Sequence, residues 1–113
     1  MAKRAPKAHV VVLVTCGSRR EAAKIARRIV QQRLAACVNL LETPVLSVYR
    51  WKGRIEQARE FLLLMKTSRS RLGALRAEVE RLHSYDVPEF IALPMVSGSP
   101  RYLAWLEDCL RPK

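Results

Sequence analysis

The sequence predicts an α+β fold in which strands and helices alternate as β-α-β-β-α-β, the ferredoxin-like split βαβ arrangement, with an additional C-terminal helix. Three observations carry that prediction. Apolar runs bounded by turn residues recur along the chain, two longer segments between them repeat apolar residues at helical spacing, and Ser99-Pro100 opens a last helical stretch. At 113 residues, half of them apolar, the chain is one domain able to bury a core without disulfide or metal staples.

Met1 to Ala8 is basic and contains Pro6, and is expected to be a disordered arm ahead of a domain over residues 9–113. His9 to Thr15 is a β-branched run that reads as a buried strand. Ser18, with Glu21 three residues later, forms a capping box for a helix through Ala22, Ile25, Ala26, Ile29 and Val30. From Ala35 to Trp51 the pattern is mostly extended, and Pro44 implies a bend, bulge or edge position within it. Lys52-Gly53 is a hairpin turn, after which Arg54 to Thr67 returns as a strand around Phe61-Leu62-Leu63-Leu64-Met65. Ser68 or Ser70 can cap a second helix carrying Leu72, Leu75, Val79 and Leu82, and Pro88 stops it near His83 or Ser84 by holding Val87 extended. Glu89 to Val96 is the fourth strand, and the last helix carries Tyr102, Leu103, Leu106 and Leu110.

In this topology the expected sheet order is 4-1-3-2, and Cys16, His83 and Glu89 fall at one end of the sheet, here called the top. His83-Ser84-Tyr85-Asp86-Val87-Pro88-Glu89 packs an imidazole, a phenol and two carboxylates into seven residues at a helix end, where ions, ligands or partners can reach them. Sulfur, nitrogen and oxygen donors together suit copper or zinc. The helix-one dipole is expected to favour a Cys16 thiolate. Each residue also has a plainer role: Cys16 as a small hydrophobe closing a strand, His83 as a helix cap. His9 starts strand one at the opposite end, while Cys37 and Cys109 read as packing residues.

Twenty-one Lys and Arg against ten Asp and Glu give a net charge of +11, which raises nucleic-acid binding as a function class. The scatter of the arginines and the lack of aromatics on the inner strands, apart from Phe61, argue against it. No Gly-rich phosphate loop, HExxH or GxSxG is present, so a non-enzymatic role is expected. Three widely separated cysteines match neither a disulfide framework nor a zinc knuckle. With Val10 to Val14 too short for a signal or membrane segment, they suggest a soluble cytoplasmic protein without membrane contact.

Leu34-Ala35-Ala36-Cys37-Val38-Asn39, Tyr49-Arg50-Trp51-Lys52-Gly53-Arg54-Ile55-Glu56, Lys66-Thr67, His83 to Glu89 and Tyr102-Leu103-Ala104-Trp105 resemble, in order and spacing, the CutA divalent-cation tolerance proteins. The resemblance spans about residue 9 to 110. It implies a ferredoxin-like subunit forming a homotrimer, with a role in tolerance to copper and other divalent ions. It also implies that Cys16 and His83 bind metal, with Glu89 as the further oxygen donor taken from the spacing. Some members carry two adjacent histidines where this chain has Leu82-His83, so Cu(II) or another divalent transition metal should bind weakly. The apolar hairpin with Val45, Leu46, Val48 and Trp51 would leave an open edge in a monomer, which suits trimer formation. The alternative is a small-molecule or signalling sensor resembling PII proteins, with an intersubunit cleft at Tyr49, Trp51, Lys66 and Tyr85 where Arg50, Arg54 and Lys66 would suit an anionic ligand.

Overall fold

A computed structural model describes residues 9–112, so the basic arm expected over residues 1–8 lies outside the described residues. The elements run β1 (His9–Cys16), α1 (Arg19–Gln31), β2 (Cys37–Leu40), β3 (Val45–Trp51), β4 (Arg54–Ser68), α2 (Leu72–Leu82), β5 (Ile91–Pro94) and α3 (Pro100–Leu110). A 3-10 turn at Arg69–Arg71 leads into α2. The sheet order β5-β1-β4-β2 is the expected 4-1-3-2 order, and β3 pairs β4 beyond it.

β4 is the spine. Its second half lies between β1 and β2, with His9 opposite Ser68 and Cys16 opposite Phe61 on one side and Cys37 opposite Lys66 on the other. Its first half pairs with β3, from Val45 opposite Glu60 to Trp51 opposite Arg54. The extended segment expected over Ala35 to Trp51 is therefore two strands. Leu40 faces Leu63 and Val45 faces Glu60, so Leu41 to Pro44 set four residues against two, and Pro44 has no N–H to continue the ladder. The fourth strand expected over Glu89 to Val96 is shorter, because its ladder to β1 begins at Ile91 opposite Leu13. Val14, Thr15 and Cys16 thus run on past the end of β5.

Alternation along β1 buries Val10, Val12, Val14 and Cys16 on the face that Leu63 and Met65 of β4 share. Ile25 and Ile29 of α1 and Leu75 and Val79 of α2 cover that face. Leu106 and Leu110 of α3 pack with Ala36 in a smaller cluster. α1 closes on Arg33 in the left-handed region, φ 58°, with Leu34 N–H donating to the Ile29 carbonyl and Arg33 N–H to that of Val30. The other face of the sheet, with Leu13 opposite Leu64 and Ile91, has Ile91 and Leu93 nearly half exposed. The β3–β4 hairpin stretches the molecule to 55 × 29 × 24 Å, and Leu46, Val48 and Ile55 on it are each at least 60% exposed.

The hairpin turn holds Lys52 at φ 51° and Gly53 at φ 78°, a two-residue loop of the kind that matches strand twist. A lysine there bears a left-handed penalty of about 1 kcal/mol, offset by about half through the Lys52 ammonium 5.9 Å from the Trp51 ring. Lys52→Asn is expected to raise the melting temperature slightly at fixed protein concentration. A lower value would mean that the contact with Trp51 outweighs the backbone strain.

Candidate functional site

Three element ends converge at the top of the sheet: the last residue of β1, the first turn of α1 and the C-terminal cap of α2. His83 closes α2 by donating its N–H to the Val79 carbonyl at 2.9 Å and then turns extended, φ −80° and ψ 142°. Its side chain is fully enclosed. Nε2 lies 2.7 Å from the Thr15 carbonyl and Nδ1 lies 3.1 Å from the Tyr85 N–H. A carbonyl can only accept and an N–H can only donate, so Nε2 donates to Thr15 and Nδ1 faces the Tyr85 N–H as an acceptor.

Glu21 completes this corner. The Ser18 hydroxyl caps α1 by accepting from Glu21 N–H at 3.1 Å, as the capping box requires. The Glu21 carboxylate turns across to α2 instead, where Oε2 accepts from Ser84 N–H at 3.0 Å and stands 3.3 Å from His83 Nδ1. One donor atom each from Cys16, Glu21 and His83 lie within 4.8 Å of one another. That spacing suits an ion with bonds of about 2.0–2.3 Å to sulfur, nitrogen and oxygen after small side-chain adjustments.

The expected thiolate at Cys16 is not what the surroundings favour. Burial pushes the thiol up to about 12, and the charges of Glu21 and Glu60 add to the shift. Enclosure and two carboxylates outweigh the helix dipole.

Glu89, expected beside Cys16 and His83, stands instead on the wall of an adjoining cavity of about 570 Å³. Tyr49, Trp51 and Tyr85 line that cavity, together with Glu60 and Asp86. Lys66 does not reach it. The register places Lys66 opposite Val11 and Cys37, five residues down β4 from Phe61, or about 17 Å. No arginine or lysine of the same subunit is among the lining residues. Glu60 is buried and accepts the Tyr85 hydroxyl hydrogen bond at 2.7 Å. Burial, then the bond to Glu60, push the Tyr85 phenol up, while burial and the Glu60 charge raise Glu89. The Tyr85 ring also sits 4.7 Å from the His83 ring. His9, at the far end, bonds Glu107 at 2.7 Å.

Glu21 and Glu60 are the residues that sequence reasoning missed as site members. A signal for Glu21 exists in the chain: its helix opens immediately after Cys16, so its first turn must share the top of the sheet. Glu60 precedes the apolar run Phe61 to Met65 and extends its alternation into the top edge.

The profile of the CutA1 divalent ion tolerance protein family matches residues 10–109. The chain is 46% identical over 102 residues to a protein of Arabidopsis thaliana named chloroplastic CutA, covering 90% of this chain and 56% of the relative, so it spans little more than half of that protein's length. It is 44% identical over 98 residues to the divalent-cation tolerance protein CutA of Thermus thermophilus, covering 87% of this chain and 94% of the relative. The solved structure of a CutA protein from Archaeoglobus fulgidus, described as periplasmic, superposes with a TM-score of 0.88 at 36% identity, over 91% of this chain and 99% of that one.

These findings overturn the expected cytoplasmic location, since relatives are named chloroplastic and a similar structure is described as periplasmic. Unpaired cysteines misled because Cys16 is buried, and an enclosed thiol persists whatever the compartment. Among the described residues, no helix is long and apolar enough to cross a membrane.

The raised Cys16 thiol has a pH consequence. A group raised in the fold from 9.0 to about 12 stabilises the fold fully below pH 9, and that contribution disappears as pH climbs toward 12. Thermal unfolding followed from pH 8 to pH 11 should show falling stability, with a shallower fall in Cys16→Ala. Iodoacetamide at neutral pH should label Cys37 well before Cys16 in the folded protein.

Proposed function

We propose, from the premise that this chain belongs to the CutA1 divalent ion tolerance protein family, that it is a non-enzymatic homotrimer that binds a borderline divalent ion weakly through Cys16, Glu21 and His83. The observation that carries this reading is the meeting of one sulfur, one oxygen and one nitrogen donor within 4.8 Å. Such a set suits Cu(II) or Zn(II) rather than Mg(II) or Ca(II). Affinity should be modest. The thiol must lose a proton that its surroundings hold firmly, and Nδ1 must release the Tyr85 N–H before it can coordinate.

Trimer formation is supported by surfaces a single subunit leaves open. The hairpin exposes Leu46, Val48 and Ile55, and the sheet face away from α1 and α2 exposes Ile91 and Leu93. Contact between copies would remove these surfaces from water and cover the free edge of the hairpin. Light scattering is expected to return three times the chain mass, and Val48→Glu should lower it. A monomer at micromolar concentration would sink the trimer.

Cu(II) and Zn(II) titrated into the protein at neutral pH should bind, and Cys16→Ser, Glu21→Gln and His83→Ala should each weaken binding about tenfold or more. Lower pH should also weaken it, because protons compete for sulfur and nitrogen. Glu89→Gln is the discriminating variant, since a comparable loss there would restore Glu89 to the ligand set and displace Glu21.

A further inference from the structure

The outward side of α1 carries a row of cations that no acidic side chain meets. Five basic residues, Arg19, Arg20, Lys24, Arg27 and Arg28, stand on this helix against one acidic residue, Glu21. Glu21 turns its carboxylate across to Ser84 and His83, and Arg19 pairs with Glu42. Glu78 of α2, held low first by its bond to Arg81, also feels the charge of Arg28. That leaves Arg20, Lys24 and Arg27, all exposed and in none of the ion pairs among the described residues.

These three recur at intervals of four and three residues, so they share one side of the helix, away from the buried Ala22, Ile25 and Ile29. At 1.5 Å per residue the row is about 10 Å long. Like charges at such intervals weaken a helix, so the row does not serve the stability of the fold. The neighbouring α2 shows the contrast, because its Arg76 and Arg81 pair with Glu80 and Glu78 of the same helix. Arginines that look scattered along the chain are thus gathered on one face by the helical turn. We propose that this face of α1 binds the phosphate backbone of a single-stranded nucleic acid, weakly and without regard to base sequence.

Other anionic partners fit less well. A single phosphate needs donors that converge on one point, whereas these cations lie in a row. An acidic protein surface needs an apolar or aromatic anchor at its centre, and α1 has no aromatic residue. The lack of aromatics also removes base stacking, which leaves backbone contacts that carry no sequence information. The choice against a membrane rests on the proposed trimer, whose copies meet through the hairpins and the sheet face away from α1. A cyclic assembly of that kind leaves the rows outside its contacts and turns them in three directions, which a flexible strand can follow and a flat bilayer cannot.

Fluorescence anisotropy of a labelled single-stranded DNA of mixed sequence, titrated with the full chain at several salt concentrations in metal-free buffer, tests the proposal. Binding is expected in the micromolar range at low salt, with a steep loss as salt rises. Each cation that neutralises a phosphate of a single strand contributes about −0.7 to the slope of log K against log salt. The triple variant Arg20→Gln, Lys24→Gln, Arg27→Gln should therefore make that slope shallower by about 2. Glutamine keeps good helix propensity, and circular dichroism and light scattering establish that fold and assembly persist. Arg76→Gln, Arg81→Gln, Arg111→Gln removes the same charge from ion-paired positions and should leave the slope unchanged. Lys3, Arg4 and Lys7 are present in both variants, so a difference between them belongs to α1. The proposal is overturned by no binding at 50 mM salt and about 100 μM protein, or by equal slopes in the two triple variants, which would assign binding to net charge alone. Equal or tighter binding to phosphatidylserine vesicles or to polyglutamate would overturn it as well. A monomer in light scattering would sink the trimer but leave the slope test of a single row intact, and a failed Cu(II) or Zn(II) titration does not touch it.

Discussion

Val12 opposite Met65 and Val14 opposite Leu63 lock β1 to β4 through side chains fully removed from water, and everything at the top of the sheet depends on that register. Side chains alternate between faces along a strand, so a slip of one residue would turn Cys16 away from α1 and α2 and place Thr15 on the core side. It would also move Phe61, and Glu60 with it, relative to the end of β1. The cost of exposing four buried β1 side chains opposes any such slip. A register set by core packing therefore determines both the donor group and the acidic wall beside it.

Tyr85 joins the two. Its N–H fixes His83 Nδ1, its ring lies against the imidazole, and its hydroxyl bonds Glu60. Gly17 makes that position available: a Cβ there would come within 3.1 Å of the Tyr85 hydroxyl oxygen, closer than ordinary contact allows without a shift. The short β5 contributes by stopping at Leu13, which leaves Thr15 and Cys16 open to the chain crossing from α2. An ion at Nδ1 would displace the Tyr85 N–H, and a ligand on Glu60 would compete for the Tyr85 hydroxyl. Both events load the same side chain from opposite ends.

The sequence made the strand order and the end of α2 readable because both follow from strong local signals. Alternating β-branched residues mark β1, and Pro88 excludes helix at Val87. The division of the second strand was only half visible: Pro44 announced an interruption, but whether it made a bulge or two strands depended on where β4 offered partners. Cys16 and His83 could be placed at one end from topology. Their third neighbour could not, because Glu21 also satisfies the spacing of a helix cap, and only tertiary geometry sends its carboxylate toward Ser84 instead. Lys66 stands apart from the cavity at Tyr49 and Trp51 of its own subunit for a related reason. Nearness in a motif says nothing of distance along a strand, and each residue of β4 adds about 3.4 Å. The thiol was misjudged because desolvation is invisible in one dimension while a helix start is plain.

Net charge and local charge point in opposite directions in this molecule. The chain as a whole is +11, yet Glu21, Glu60, Asp86 and Glu89, four of its ten acidic residues, gather at the top beside His83. At physiological ionic strength, fields between exposed charges fade over about 8 Å, so arginines farther than that from the carboxylates are largely screened from an ion approaching them. The carboxylates there act at short range, and Glu60 acts through surroundings that water screens poorly. The cavity wall at the top is therefore acidic and partly aromatic. The basic remainder of the chain raises solubility and repels other copies at long range, which contact between apolar hairpins must overcome. Added salt should thus act in two directions: it weakens cation attraction to the exposed rim at Asp86 and eases the approach of one subunit to another.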